Sequence, residues 1–249
     1  MVIDELPIGS VVRFGRFSFA KRVDTVDIYW IKVSKDNHFI SERVLLGTRF
    51  DEYEPKIGFN ENYELSNIRQ FMNSEARNWY MPTHQYDRPT DWCYLENGTV
   101  IRMLNYGGLL HHFTDEELCA FEKEFGDYLR LPTVNEMLGG FTYFKRHGRR
   151  ALPTDDWGLL ERRNYCPGMF SSYFVIDVGG SSTVNEFDRR GHLRVLSPNE
   201  ISGVRPVCKL KANIETFSVG ENTYEMNLSS ATPVKYFEET QSLDWLLGL

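Results

Sequence analysis

The chain has 249 residues, a net charge of −7 and 41% hydrophobic residues, a composition typical of a globular protein with one large or two small domains. The acidic balance argues against a protein that binds long stretches of nucleic acid, because such proteins need a basic field. No run approaches the ~20 apolar residues of a membrane span, and Asp4 and Glu5 stand where a secretory signal needs basic and apolar residues. We therefore expect a cytoplasmic protein with no membrane partner.

Cysteine usage fits the same compartment. The four cysteines are far apart in the sequence and form no C-x-x-C pair, which argues against a zinc knuckle or a thioredoxin-type motif. We expect buried, reduced thiols, and a disulfide stays open as the alternative.

The first sixty residues have the pattern of strands. Residues 11–19 alternate apolar and polar side chains in their middle, and residues 26–41 predict a hairpin with a polar turn at Lys35–Asn37. Residues 43–50 either continue this sheet or lead out of it.

Helical spacing then replaces the strand pattern. Apolar residues recur at steps of three and four from Leu65 to Trp79, and Ser66 is a suitable N-cap. Pro82 ends this segment, since proline does not continue a helix easily. We expect one amphipathic helix here.

Two capping boxes mark further helices. Thr114 with Glu117 begins a helix that we expect to run to Gly126, a residue suited to a left-handed stop. After the extended stretch DYLRL and a proline, Thr133 with Glu136 begins a shorter helix that ends in the glycine pair of VNEMLGG.

The remaining segments predict strands and loops. Asn97-Gly98 between WCYLE and TVIRML is a strong hairpin signal, because both residues tolerate positive φ. The stretch FKRHGRRALPTDDWGLLERRNYCPG has no period and predicts a long surface loop. The later predictions are a strand in SSYFVIDVGG, a hairpin in STVNEFDRRGHLRVLS, a strand in SGVRPVCKLKA, a hairpin in TFSVGENTYEM and a short helix in QSLDWLLGL.

Several segments occur in a characteristic order: GSVVRFGRF, YWIKV, ISERVLL, SNIRQFMN, LRLPTVNEM, SSYFVIDVGG and GVRPVCKL. In this order they resemble a bacterial and phage family of unknown function, which is similar to the formylglycine-generating-enzyme-like branch of the C-type lectin fold. The resemblance covers roughly residues 8 to 211. It implies a single α+β domain, residues 1–211, of C-type-lectin-like type, with a twisted mixed or antiparallel sheet, two main helices and long loops. Residues 212–249 would then be a C-terminal appendage that packs on this domain or extends from it.

The resemblance carries a fold and no catalytic residue. The oxidative enzymes of that branch place functional cysteines or a metal triad near the C-terminal part of the fold. Here Cys166 and Cys208 are isolated and no His-His-Glu arrangement is evident. The adjacent pairs His111-His112 and Asp155-Asp156 are better explained as ordinary polar residues than as metal ligands. Calcium stays open as an alternative, because lectin-type folds often hold it in a long loop. We therefore expect no cofactor and no metal.

Basic and aromatic residues in the loops are the candidate binding residues, since arginine and aromatic side chains dominate recognition surfaces. For Trp157 and Tyr173 a place in the core is an equal alternative. We expect a non-enzymatic recognition module for a protein or a glycan, with nucleic acid bound only through a local basic patch. Because the family occurs in phages and mobile elements, a host-defence complex is an implied target. The alternatives are a formylglycine-generating-enzyme-like metal-dependent enzyme and a structural virion or tail component. The candidate binding residues are Arg146, Arg149, Arg150, Trp157, Tyr165, Tyr173, Arg189, Arg190 and His192.

Overall fold

The computed structural model describes residues 1–17, 26–51, 61–75, 92–94, 100–102, 108–153, 170–180, 182–198 and 200–230. Strands dominate and the helices are short, so the predicted α+β class is confirmed. None of the helices in these ranges combines the length and the apolar character that a membrane crossing requires.

In chain order, the strands of the described ranges are β1 (Val11–Phe17), β2 (Val26–Lys32), β3 (His38–Ser41), β4 (Leu46–Arg49), β5 (Trp92–Tyr94), β6 (Val100–Arg102), β7 (Phe121–Glu122), β8 (Leu129–Arg130), β9 (Tyr173–Gly180), β10 (Thr183–Phe187), β11 (Leu193–Leu196), β12 (Ile201–Val204), β13 (Val207–Leu210), β14 (Thr216–Gly220) and β15 (Thr223–Met226). The helices are α1 (Asn67–Met72) and α2 (Asp115–Ala120), together with single 3₁₀ turns and a short π turn at Glu136–Gly140.

Four separate sheets hold the described strands, where the sequence predicted one. The largest has the order β14-β15-β1-β2-β3-β13-β7, and β8 also pairs with β13. Only β1 and β15 are parallel in this sheet. A smaller antiparallel sheet has the order β11-β10-β9, and β4–β12 and β5–β6 form two-stranded pairs. The smaller three-stranded sheet carries the candidate site.

The hairpins predicted from alternation are confirmed. Trp30 of β2 pairs with Ser41 of β3, and Asn37 in the intervening turn has a φ of 62°. Phe187 of β10 pairs with Leu193 of β11, and β14 pairs with β15 in the same antiparallel way. Strands β5 and β6 also pair, although the Asn97-Gly98 turn between them lies outside the described residues.

Buried apolar side chains from both larger sheets and from the short helices form one cluster. At its centre the rings of Phe14 and Trp30 stack with centroids 5.0 Å apart, and Phe113 and Phe121 pack against them. Burial of this many large side chains is the main stabilising contribution to such a fold.

Helix α1 begins where the sequence predicts, since the Ser66 side chain accepts a hydrogen bond from the backbone of Arg69. The helix ends at Met72, earlier than the predicted stripe to Trp79. The Asn73 side chain instead bonds to the backbone of Tyr128 and Leu129, 2.7 to 3.1 Å away, which fixes the chain outside a helical conformation. The part of the predicted stripe beyond residue 75 lies outside the described residues.

Helix α2 has the predicted capping box of Thr114 and Glu117 but ends at Ala120, and the prediction that it reaches Gly126 is wrong. Phe121 leaves the helix to pair with Leu210 of β13, where its ring packs in the core. Phe125 and Gly126 have φ of 54° and 90° and form a tight two-residue turn that the backbone hydrogen bonds between Glu124 and Asp127 close; β7 before it and β8 after it both pair with β13. Sheet pairing therefore outweighs the helical spacing here.

The Thr133–Glu136 box is also confirmed, with reciprocal backbone–side chain bonds of 2.8 and 3.1 Å. Within the segment predicted as a C-terminal appendage, residues 212–249, the β14–β15 hairpin joins the main sheet through β1, and Ile214 and Met226 are buried. The predicted helix in QSLDWLLGL lies outside the described residues, and so does the part of the predicted long loop beyond residue 153.

Candidate functional site

The turn between β10 and β11 is organised by one carboxylate. The Asp188 side chain accepts hydrogen bonds from the backbone of Arg190 and of His192, at 2.8 and 2.9 Å. Burial opposes ionisation of Asp188, but these two N–H groups and the charges of His192 and Arg194 outweigh it and lower its pKa. The carboxylate therefore stays ionised and holds the turn in one conformation.

The same turn lies against a second basic segment of the chain. Gly191 has a φ of 80°, which favours glycine, and a side chain at this position would come within 3.5 Å of Arg150 Cγ and 3.9 Å of Arg149 Cβ. The structure thus brings Arg149 and Arg150 together with Arg189, Arg190 and His192, although the two segments are about 40 residues apart in the sequence. We call these five residues the cationic patch.

Two buried residues hold the Arg149 segment in place. The carbonyl oxygen of Arg149 accepts hydrogen bonds from the Tyr173 hydroxyl and from Arg205 Nη1, the latter at 3.1 Å. Arg205 is 2% exposed, and its Nε donates to the carbonyl of Ser41 at 3.0 Å. Next along the chain, Ala151 pairs with Ser171 in an antiparallel bridge. Buried hydrogen bonds therefore fix the backbone position of Arg149, at the base of the patch.

Two arginines of the patch, Arg149 and Arg150, pack on aromatic rings. The guanidinium of Arg149 lies 5.5 Å from the ring centroid of Phe187, and that of Arg150 lies 4.4 Å from Phe170. No described carboxylate forms an ion pair with Arg149, Arg150 or Arg190. His192 is 4.0 Å from Asp188 and its side chain is 72% exposed. The charges of Arg149, Arg150 and Arg190 are therefore available to a partner as far as the described residues are concerned.

The structure places the other candidate residues elsewhere. Tyr173 is fully buried, so its predicted place on a recognition surface is wrong. It begins β9 under Arg205, and burial raises the pKa of its hydroxyl, which stays a neutral donor. Arg146 is exposed at the end of the 3₁₀ turn at Thr142–Lys145, three residues before the patch begins. Trp157 and Tyr165 lie outside the described residues.

Sequence reasoning missed the exposed apolar side chains beside the patch. Leu193 and Val195 of β11 are 44% and 56% exposed, and Arg194 between them is exposed as well. Their alternation predicts a strand, but it does not reveal whether the strand lies at the edge or in the middle of a sheet. Only the strand order places β11 at an edge.

A buried ionic network in the LRLPTVNE segment is a competing charged cluster. Arg130 donates to both oxygens of Glu136, at 2.8 and 2.6 Å, and to Glu124 at 3.2 Å. Glu124 also contacts His38 Nε2 at 2.8 Å. These groups satisfy one another, so the network fits a structural role that connects β8, the β3 strand and the Thr133 turn.

A surface cavity of about 380 Å³ is the third place with clustered charges. Asp27 lies 3.1 Å from Arg13 and 3.2 Å from Arg16, and Arg13 also pairs with Glu225. The Glu117 carboxylate accepts a hydrogen bond from the backbone N–H of Gly15 at 2.8 Å. Since opposite charges pair within this cavity, it offers less unpaired charge to a ligand than the cationic patch.

The candidate metal ligands are not grouped in the described residues, where no three His, Cys, Asp or Glu side chains could hold an ion together. His111 and His112 lie in a 3₁₀ turn before α2, and burial together with His111 lowers the pKa of His112 to about 4. Asp155-Asp156 lies outside the described residues. Cys119 and Cys208 are free thiols, and burial raises the pKa of Cys208.

The cationic patch is accordingly the arrangement that combines exposed side chains, hydrogen-bonded support from buried residues and three arginines, Arg149, Arg150 and Arg190, without a described carboxylate partner. Carboxylates are its natural complement, since guanidinium groups bind them with two parallel hydrogen bonds. Comparisons of the chain with protein-family models, with curated proteins and with solved structures found no match.

Proposed function

We propose that this chain is a non-enzymatic recognition module that binds an acidic surface of a partner protein through the cationic patch. The observation that supports this most is the contact of Arg149 and Arg150 with the turn at Gly191. It concentrates basic residues from two distant segments at one place on a protein of net charge −7. Such a local excess of one charge steers association and selects partners of opposite charge.

An acidic protein suits this patch better than a nucleic acid or a neutral glycan. A long polyanion would extend past the patch onto a surface of net negative charge. A compact acidic surface meets only the patch, because charges more than ~8 Å away are largely screened at physiological salt. The exposed Leu193 and Val195 beside the arginines also fit the mixed apolar and polar character of a protein interface.

For the fold we propose the C-type-lectin-like type and the bacterial and phage family that the sequence resembles. Support comes from the packing of the quoted segments on one core and from Arg205, the arginine of the Gly-Val-Arg-Pro segment, which supports the patch. An acidic component of a host-defence complex is the partner class that this family membership implies. For the enzymatic alternative, the described residues offer no supporting observation.

The test compares the wild type with Arg150→Ala/Arg190→Ala, which removes one exposed arginine from each basic segment. Fluorescence anisotropy measures binding of a labelled peptide of about twenty glutamates at about 150 mM NaCl. Each exposed charge contact contributes about 0.5–1 kcal/mol, so the double variant should bind about 5- to 30-fold more weakly. Its melting temperature should change by less than about 2 °C, because both side chains are exposed.

The matched control is Lys123→Ala/Lys211→Ala, which removes the same net charge from two exposed positions near the main sheet. It should leave peptide binding within about twofold of the wild type. Equal weakening by both double variants would contradict the proposal, since it would show a response to net charge alone. If a thymidine oligonucleotide of about twenty nucleotides binds more tightly than the peptide, the partner is a nucleic acid and not an acidic protein.

A further inference from the structure

Strand β11 is the edge of its sheet and pairs only with β10 in the described chain. In antiparallel pairs, residues alternate between those that bond to the neighbouring strand and those whose N–H and C=O groups face away from it. The backbone N–H of Asp188 donates to the carbonyl of His192 at 2.8 Å, which sets this alternation. By the observed register, the backbone N–H and C=O groups of Arg194 and Leu196 face β10 and hydrogen-bond to it. Those of Leu193 and Val195 face away from β10, at the free edge.

The free edge has apolar side chains on one face. Leu193 lies directly opposite Phe187, and Val195 lies opposite Asn185, so the two exposed side chains share a face. The Arg149 guanidinium stands over the Phe187 ring. On this face the chain therefore offers two apolar positions, with a cation over the ring opposite Leu193, and Arg194 is exposed on the opposite face.

A second edge in the same protein shows what the cationic patch adds. Strand β14 also exposes two apolar side chains, Phe217 at 49% and Val219 at 46%. Its surroundings are acidic, because Phe217 lies opposite Glu225 and the strand stands between Glu215 and Glu221. At β11, Glu186 lies opposite Arg194, but it is buried and accepts a hydrogen bond from Ser202, so the exposed charges at that edge are basic. Charge complementarity therefore favours an acidic partner strand at β11 and disfavours one at β14.

We propose that an acidic segment of the partner protein binds in extended conformation and adds a fourth strand to the sheet at β11. This inference rests on the proposed function and specifies how the same patch is occupied. Antiparallel addition would place apolar residues opposite Leu193 and Val195, where their backbone groups bond to the free edge. The alternate residues would carry carboxylates toward Arg194, and further carboxylates would reach the patch at the turn.

The experiment uses two labelled peptides of the same composition and about seven residues, one that alternates glutamate with valine and one with all glutamates before all valines. The alternating peptide should bind at least about tenfold more tightly, because only it presents both faces correctly as a strand. Backbone amide exchange should slow at least about tenfold at Leu193 and Val195 when it binds. The amide of Arg194, which already bonds inward, should change less than about threefold.

Methylation of peptide nitrogens separates strand addition from attraction of charge. N-methylation of the valines removes the donors that face β11 and should weaken binding at least about 30-fold. N-methylation of the glutamates blocks only the outer edge and should change binding less than about threefold. Equal binding of both methylated peptides, or an unchanged exchange rate at Leu193 and Val195, would overturn strand addition.

Protein variants provide the matched control. Leu193→Thr/Val195→Thr keeps strand propensity but removes the apolar face, and it should weaken the alternating peptide about 5- to 20-fold. Phe217→Thr/Val219→Thr makes a similar change on β14 and should leave binding within about twofold. Failure of polyglutamate to bind would contradict the proposed function itself. Binding of polyglutamate with no preference for the alternating peptide would contradict this inference alone.

Discussion

Glu124→Gln removes the charge at the centre of the ionic network while preserving the shape of the side chain. The Glu124 carboxylate contacts His38 Nε2 at 2.8 Å and accepts from Arg130 Nε at 3.2 Å. Both partners lie on segments that meet only in the folded chain, since His38 belongs to β3 and Arg130 to β8. The substitution therefore tests how much this network stabilises the LRLPTVNE segment.

The magnitude follows from the pKa of Glu124. Burial raises this pKa, but the hydrogen bonds and charges of His38 and Arg130 outweigh burial and lower it from 4.5 to about 2. Because the pKa is lower in the folded than in the unfolded chain, the ionised group stabilises the fold above about pH 4.5, and this contribution is lost as the pH falls toward about 2. This pKa difference corresponds to about 3 kcal/mol of unfolding free energy at neutral pH. Because the side chain is 22% exposed and solvent partly screens its interactions, we expect about 2–3 kcal/mol.

The assay is urea denaturation followed by far-ultraviolet circular dichroism at about pH 7 and about pH 3. The variant should lose about 2–3 kcal/mol of unfolding free energy at the higher pH, and less than half of that at the lower pH, where the wild-type carboxylate is partly protonated. The control is Glu122→Gln, two residues earlier at the end of β7, where the carboxylate is 48% exposed and pairs with Lys209. It should cost less than about 1 kcal/mol. An equal loss for Glu124→Gln at both pH values would refute the electrostatic reasoning.

Two further predictions concern the core. Lys32→Met should lower the unfolding free energy by about 2–4 kcal/mol, because it leaves two buried carbonyl groups without a donor. Lys32 is 1% exposed, and its Nζ donates to the carbonyls of Ile3 and Asp4 at 2.7 and 3.1 Å. A melting temperature equal to that of the wild type would contradict this prediction. Gly108→Ala should lower the unfolding free energy in urea by more than about 2 kcal/mol, since the added Cβ would overlap the backbone oxygen of Ser74. Gly148→Ala is the control: no atom lies within 4 Å of its added Cβ, so the unfolding free energy should change by less than about 1 kcal/mol.

Local patterns were sufficient for the hairpins and the helix caps. The alternation around Trp30 predicted β2 and β3, and Ser66, Thr114 and Thr133 were identified as caps that the structure confirms. Caps and tight turns depend on residues within about four positions of each other, so their physics is contained in a short window of sequence.

Helix ends were predicted less well. Phe121 continues the helical spacing of α2 but belongs to β7, because a partner strand almost ninety residues away supplies its backbone hydrogen bonds. No window of sequence around Phe121 contains that partner. Tertiary context overrides weak helical propensity at such positions.

Periodicity, turn chemistry and composition were enough to establish the α+β class, the hairpins and the identity of the basic segments. Three outcomes required the folded chain: Arg149 meets the Gly191 turn, Tyr173 supports it from the core, and β11 is an exposed edge. These outcomes depend on which distant segments pack together, and packing is set by burial of the whole core rather than by any local stretch.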